Sequence, residues 1–166
     1  NMKGLGIDPK SIKEVFISHN HFDHIGGLSD FLKINPEVKV YLPPSCPELP
    51  GIKEVTKVSE PLKIRENIFS TGELQEIEQS LVVKTDKGLV VIVGCSHPGV
   101  GNILKAASQF GKIYALIGGL HGFSQFELLK EIELICPTHC TQYKSKIKSL
   151  CPEKYIEGRV GKIIEI

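Results

Sequence analysis

Ser18-His19-Asn20-His21-Phe22-Asp23-His24, followed by Ile25-Gly26-Gly27-Leu28, is the stretch on which the reading of this chain turns. Three imidazoles and one carboxylate, all able to bind divalent metals, fall within six positions. Glu14-Val15-Phe16-Ile17 before it reads as a short strand, and Leu28, Phe31 and Leu32 after it recur at helical spacing. The cluster therefore lies on the turn from a strand's end to a helix's start. On extended backbone, residues two apart point the same way, so His19 and His21 converge on one position. Asp23 and His24 follow the turn and face a neighbouring position. The pattern predicts two adjacent divalent-metal sites, one on each side of Phe22. A merely polar loop needs one histidine, not this density of donors. Two histidines four apart on a helix, the zincin arrangement, are absent.

The chain has 166 residues, 41% of them hydrophobic and 23% charged, which suits one globular domain with a real core. Twenty basic residues against 19 acidic give a formal charge of +1, with nothing to draw the chain to nucleic acid or an anionic membrane. No apolar run is long enough to span a bilayer. The five cysteines (Cys46, Cys95, Cys136, Cys140, Cys151) are odd in number and form no Cys-x-x-Cys pair. That fits a reduced, cytoplasmic protein most of whose cysteines act as small buried hydrophobes, with a zinc site at Cys136 and Cys140 disfavoured. Asn1 in place of Met leads us to expect a longer gene product.

Along the chain, Asp8-Pro9 reads as a cap and first position of a helical turn. The helix after the histidine motif should stop near Asn35-Pro36, and residues 38–42 form a second strand. Residues 43–51, with four prolines and a glycine, make a loop at the rim. Successive strands are expected from Glu54 to Val93, including an alternating Glu73–Ile77. Asp86-Lys87-Gly88 joins residues 81–83 and 89–93 as a hairpin. Thereafter strands and helices alternate: helix 99–110, strand 113–117, a helix from Ser124 to about Leu134, strand 134–136, helix 141–150, and closing strands at Ile156 and 160–166.

The remaining histidines share one setting. His97, His121 and His139 each stand just past a buried apolar run that ends in small or turn residues. Three strands thus deliver an imidazole at their carboxyl ends, where ligand sites of such sheets lie.

In this series the sequence resembles the metallo-β-lactamase superfamily. The segments that carry the resemblance are His19-x-His21-x-Asp23-His24, the lone His97, a strand-end position and Pro137-Thr138-His139-Cys140. Gly94-Cys95-Ser96-His97-Pro98-Gly99 and Gly118-Gly119-Leu120-His121 resemble the branch of metal-dependent hydrolases related to the archaeal 7,8-dihydropterin-6-methyl-4-(β-D-ribofuranosyl)aminobenzene-5′-phosphate synthase. The resemblance implies an α+β, four-layer αββα sandwich with two metals at one edge. It assigns His19, His21 and His97 to the first metal, and Asp23, His24 and His139 to the second. His121 takes the place of the aspartate that usually bridges the two, as a ligand or as a group acting on substrate. Only 18 residues precede His19, so the superfamily's first strands are expected in a preceding segment or a second chain, residues 1–166 being one domain.

The chemistry implied is hydrolytic. Zinc, favoured over iron or manganese by nitrogen-rich ligation, lowers the pKa of bound water towards ~7. Asp23 would orient that nucleophile as well as ligate. Lys144 and Lys148, four apart on the last helix, would contact a phosphorylated small-molecule substrate. The expected activity is hydrolysis of an ester or phosphoester, with a pterin-linked synthase and a truncated, non-catalytic metal-binding domain as alternatives.

Overall fold

The computed structural model describes residues 1–47 and 49–166. Its strands form two sheets. The smaller is wholly parallel, in the order β1 (Glu14–Phe16), β2 (Lys39–Leu42), β3 (Glu54–Lys57). The larger has six strands in chain order: β4 (Leu62–Arg65), β5 (Ile68–Ser70), β6 (Leu81–Thr85), β7 (Gly88–Val93), β8 (Ile113–Gly119) and β9 (Leu134–Thr138). It is antiparallel from β4 to β7 and parallel from β7 to β9. The mixture follows from the connections. The β6–β7 hairpin closes on Thr85 and Gly88, whereas β7 and β8 are separated by α3 (Val100–Ala107), long enough to return the chain for a parallel pairing.

Each sheet carries helices on one face. Leu28 and Leu32 of α2 (Leu28–Ile34) pack on Val40 and Leu42 of β2, together with Val38 and Cys46. Val100, Ile103 and Ala107 of α3 and Ile147 of α4 (Lys144–Leu150) pack on Val91, Val93, Leu116 and Ile135. The opposite face of the larger sheet, with Val90, Ala115, Leu134 and Cys136, is met by Ile156 and Ile164 of the C-terminal segment. The four layers are therefore helix, sheet, sheet, helix, an α+β sandwich as expected. Phe16 and Ile17 face Leu81, Ile92 and Val93 across a cavity of about 370 Å³ between the sheets. Ile92 is 39% exposed there, so β7 is less buried than its apolar run suggests. β1 lies at the edge of its sheet.

A buried polar side chain ties the two sheets, in addition to the Arg65–Glu14 ion pair that joins β4 to β1. Gln79 is fully buried; its Nε2 donates to the Ile17 carbonyl at 2.8 Å, and its Oε1 accepts from Ser70 Oγ at 2.8 Å. Its backbone N–H donates to Ser18 O at 2.9 Å, which anchors the end of β1.

Several expectations are corrected. Residues 73–77 are not a strand: Gln75 and Glu76 have φ of 53° and 54°, in the left-handed region, and only an isolated Leu74–Glu78 bridge remains. The helix expected from Ser124 is a 3-10 turn over Phe126–Leu129. The last helix starts at Lys144 rather than Thr141, because the Thr141 hydroxyl is spent on Thr138 O and Leu120 N. Residues 160–166 form no strand, and Tyr155 makes only a single bridge to Ile135. In the proline-rich loop, Cys46 and Leu49 pack into the α2 cluster; Glu48 lies outside the described residues. Asp8 does cap its turn, accepting from Lys10 N, with Pro9 at the first position. No helix among the described residues is long and apolar enough to cross a membrane.

Replacing Gln79 with leucine removes its side-chain bonds while keeping the volume, leaving the buried Ile17 carbonyl without its donor and the Ser70 hydroxyl without its acceptor. We expect a loss of about 2–4 kcal/mol in urea unfolding; an unchanged midpoint would show that this link is not what joins the sheets.

Candidate metal centre

All six histidines lie at one end of the sandwich, just past the carboxyl ends of β1, β7, β8 and β9 or in the turn that follows. His19 leaves β1 on the extended segment tied down by Gln79. Asp23 and His24 then ride on α1 (Phe22–Ile25), a single turn that rotates them away from His21.

The donors fall into groups whose ligand atoms all lie within 4.8 Å of one another. One is His19, His21 and His97; another is Asp23, His24 and His139. These are the two sets that the sequence pointed to. Within the first, His19 Nε2 lies 3.2 Å from His21 Nδ1. Within the second, His24 Nε2 lies 3.2 Å from His139 Nε2, and Asp23 Oδ2 lies 2.9 Å from His139 Nε2. His97 Nε2 is buried and has no hydrogen-bond partner among the described residues. An orphaned imidazole nitrogen facing other nitrogen donors fits a cation, which uses lone pairs without asking for protons. The residues present thus suit divalent metal ions.

Electrostatics agree. Burial pushes the His19 imidazole down to about 4 from its ordinary 6.5; Glu78 opposes this, and His24, His97 and His21 add to the lowering. Burial likewise lowers His24 and His97. These shifts favour the neutral rings that metal ligation requires. What little burial Asp23 has acts to raise its carboxyl. Its backbone hydrogen bond and the neighbouring His24 and His139 outweigh that and hold it below the usual carboxylate range. Burial pushes the Cys95 thiol up.

Glu78 is the residue that sequence reasoning missed. Its side chain is fully buried. Oε1 accepts from the backbone N–H groups of Gly94, Cys95 and Ser96 at 3.0–3.1 Å, and Oε2 accepts from His97 N at 3.0 Å. Four successive amides wrap one carboxylate, an anion-holding nest that sets the loop carrying His97. Oε2 also lies 3.9 Å from His19 Nδ1, whose other neighbour is Ser18 Oγ at 3.0 Å. A Cβ on Gly94 would sit 2.4 Å from Ser18 Oγ and 3.0 Å from Glu78 Oε1, so only glycine admits this approach. A lone glutamate beside a polar glutamine gives no periodic signal, and its partners lie about twenty residues away.

His121 departs from its expected place. It is exposed, takes φ 45°, and belongs to neither donor group, although its ring centroid is 5.2 Å from that of His97. The left-handed turn swings it over a cavity of about 320 Å³ lined by His97, Leu120, Phe123 and Gln125. Lys144 and Lys148 are not among the residues lining the cavities beside the histidines, and Lys148 Nζ sits 5.6 Å over the Tyr155 ring. The spacing that put both on one helix face did not reveal that face's direction.

Comparison with known proteins agrees with this geometry. The family model of the metallo-beta-lactamase superfamily matches residues 2–107. The 7,8-dihydropterin-6-methyl-4-(beta-D-ribofuranosyl)-aminobenzene-5′-phosphate synthase of Methanocaldococcus jannaschii is 30% identical over 234 aligned positions, which cover 99% of this chain and 79% of that protein. Uncharacterized protein MJ0448 of the same organism is 26% identical, covering 92% of this chain and 78% of its own length. Among solved structures, Tm1679, a metal-dependent hydrolase of the beta-lactamase superfamily, superposes with a TM-score of 0.79 at 26% identity. That match covers 99% of this chain and 83% of the other.

Two outcomes follow. Between about 4 and 6.5 the unfolded chain takes up a proton that buried His19 refuses, so stability is lost as pH falls through that window. Chelator-treated protein should therefore melt at progressively lower temperature from pH 7 to pH 4.5, and a flat profile would contradict the burial described. Glu78→Gln places an amide donor against one of the four N–H groups. It should weaken metal binding about 10–100-fold in a chelator competition, as loss of a ligand-orienting partner does; unaltered affinity would mean the nest does not set the site.

Proposed function

We infer the activity from one premise: the chain belongs to the metallo-beta-lactamase superfamily. Members of this superfamily bind divalent metals, and the activity we propose is metal-dependent hydrolysis of an ester or phosphoester. The observation that carries it is the pair of donor groups at the strand ends, one of them holding a buried, unpartnered His97 Nε2. His19, His21 and His97 would hold one ion, and Asp23, His24 and His139 the other. Divalent ions held there, zinc best suited to a nitrogen-rich set, supply Lewis acidity and a water nucleophile ionised near neutral pH.

The chain's own groups do the rest. Asp23, 54% exposed and 2.9 Å from His139 Nε2, would orient an incoming water as well as ligate. His24 and His139 border the cavity between the sheets, and His97 and His121 border the one on the opposite flank. A substrate lying across the histidines would reach both. His121, exposed and outside the ligand groups, is positioned to hydrogen-bond the leaving group. Apolar walls from Phe16, Leu81 and Ile92 on one side and Leu120 and Phe123 on the other exclude water from the flanks.

A second reading is favoured by the 30% identity to a protein named as a synthase over nearly the whole chain. On that reading the same residues activate a condensation between a pterin and a phosphorylated ribofuranosyl-aminobenzene. A substrate assay separates the two.

Elemental analysis of purified protein should find two divalent ions per chain, and hydrolysis of p-nitrophenyl esters or phosphoesters should vanish with chelator and return with zinc. His97→Ala should lower that activity by at least about 100-fold, as removal of a ligand does. Metal-replete protein that turns over the pterin condensation but no ester or phosphoester would overturn the hydrolytic reading.

A further inference from the structure

The five cysteines divide into two kinds. Cys46, Cys136 and Cys151 pack in the apolar clusters, as small hydrophobes do. Cys95 belongs to none of them, although it is only 4% exposed. Its neighbours are imidazoles. Cys95 Sγ lies 3.2 Å from His24 Nε2. Its sulfur shares one tight donor group with His19 and His24, and a second with His139 and Cys140. His19 belongs to the first metal set and His24 and His139 to the second, so the sulfur stands between the two.

We propose that Cys95 is a thiolate ligand of this centre, on the side of the second ion, at the junction where the sequence led us to expect His121. This rests on the metal-centre reading above. His24 Nε2 faces both His139 Nε2 and Cys95 Sγ at 3.2 Å. Tetrahedral donors about 2.0–2.3 Å from an ion lie roughly 3.3–3.8 Å from one another, so the three atoms already have nearly the spacing of a coordination shell. The position is held from several sides. The Cys95 N–H is in the Glu78 nest, the Cys95 carbonyl accepts a weak bond from Cys140 Sγ at 3.9 Å, and Gly119 leaves no room for a Cβ between them. Coordination exchanges the S–H bond for a sulfur–metal bond and releases one proton to solvent; no oxidant is involved. A thiolate supplies the negative charge that an imidazole at the bridging position would lack, and it biases the centre towards zinc or cobalt over manganese.

The test is a cobalt(II) titration of the full chain, stripped with chelator and kept reduced. Wild-type protein should show visible d–d bands together with a near-ultraviolet sulfur-to-cobalt charge-transfer band. Cys95→Ser should lose the charge-transfer band entirely, keep the d–d bands, and bind the second cobalt at least about tenfold more weakly; Cys140→Ser should keep both. A charge-transfer band that is absent from the wild type, survives in Cys95→Ser, or disappears only in Cys140→Ser overturns the assignment while the d–d bands leave the metal centre standing. Absence of d–d bands from the wild type overturns the centre itself, and this ligand with it. The wild-type and Cys140→Ser spectra decide the matter even if Cys95→Ser does not fold.

Discussion

A single buried carboxylate organises this end of the molecule. Among the described residues no Lys or Arg pairs with Glu78; its carboxylate is held by four backbone N–H groups from Gly94 to His97. Removing a carboxylate from water is costly unless its lone pairs are filled. The nest fills them with amides that the loop after β7 would otherwise have left unsatisfied. The exchange fixes both partners: the glutamate needs the loop in this shape, and the loop needs the glutamate to hold Ser96 at φ 61°. His97 and Cys95, on that loop, inherit its rigidity. So does His19, whose Nδ1 is turned towards the same carboxylate and Ser18.

Next to it, Gln79 performs the mechanical task. Glu78 faces the histidines while Gln79 faces the opposite way, into the join between the sheets. Two adjacent polar residues in a segment with no regular structure thus couple the position of β1, which delivers His19, to that of β7, which delivers His97. Neither strand could shift without breaking bonds inside the protein. This explains how a site assembled from the ends of four strands keeps the ligand atoms of each donor group within 4.8 Å of one another.

What the sequence made legible was local. His19, His21, Asp23 and His24 were readable because a strand-to-turn pattern fixes where residues two apart point. His97 and His139 were readable because each follows an apolar strand. The helix at Ser124 and the strand at 73–77 were misread because propensity there is weak and tertiary bonds decide: Gln75 and Glu76 adopt left-handed backbone in order to bring Glu78 inside. At His121 the spacing after Gly118-Gly119 matches a bridging position, but the residue takes φ 45° and is exposed outside the donor groups, and no periodicity announces a positive φ. Nothing in the sequence sets Cys95 apart from the other cysteines, because residue type alone cannot distinguish an apolar pocket from a ring of imidazoles.

The two donor groups are unequal, and the inequality bears on function. His19 is fully buried and backed by the Glu78 nest, whereas Asp23 and His139 are about half exposed, with 54% and 42% of their side chains open to water. On the proposed reading, the first ion meets a fully buried His19 whose ring is already fixed, beside a half-buried His97 and an exposed His21, so little ordering entropy is lost at the buried ring when it binds. The second meets a carboxylate on a one-turn helix and an imidazole at the rim, which must be ordered as it arrives. Affinity should therefore fall in that order, and the looser position is also the one open to solvent and substrate. A buried thiolate from the Glu78-held loop would give that exposed position a rigid, charged anchor from beneath. The same carboxylate would then stand behind both ions, touching neither.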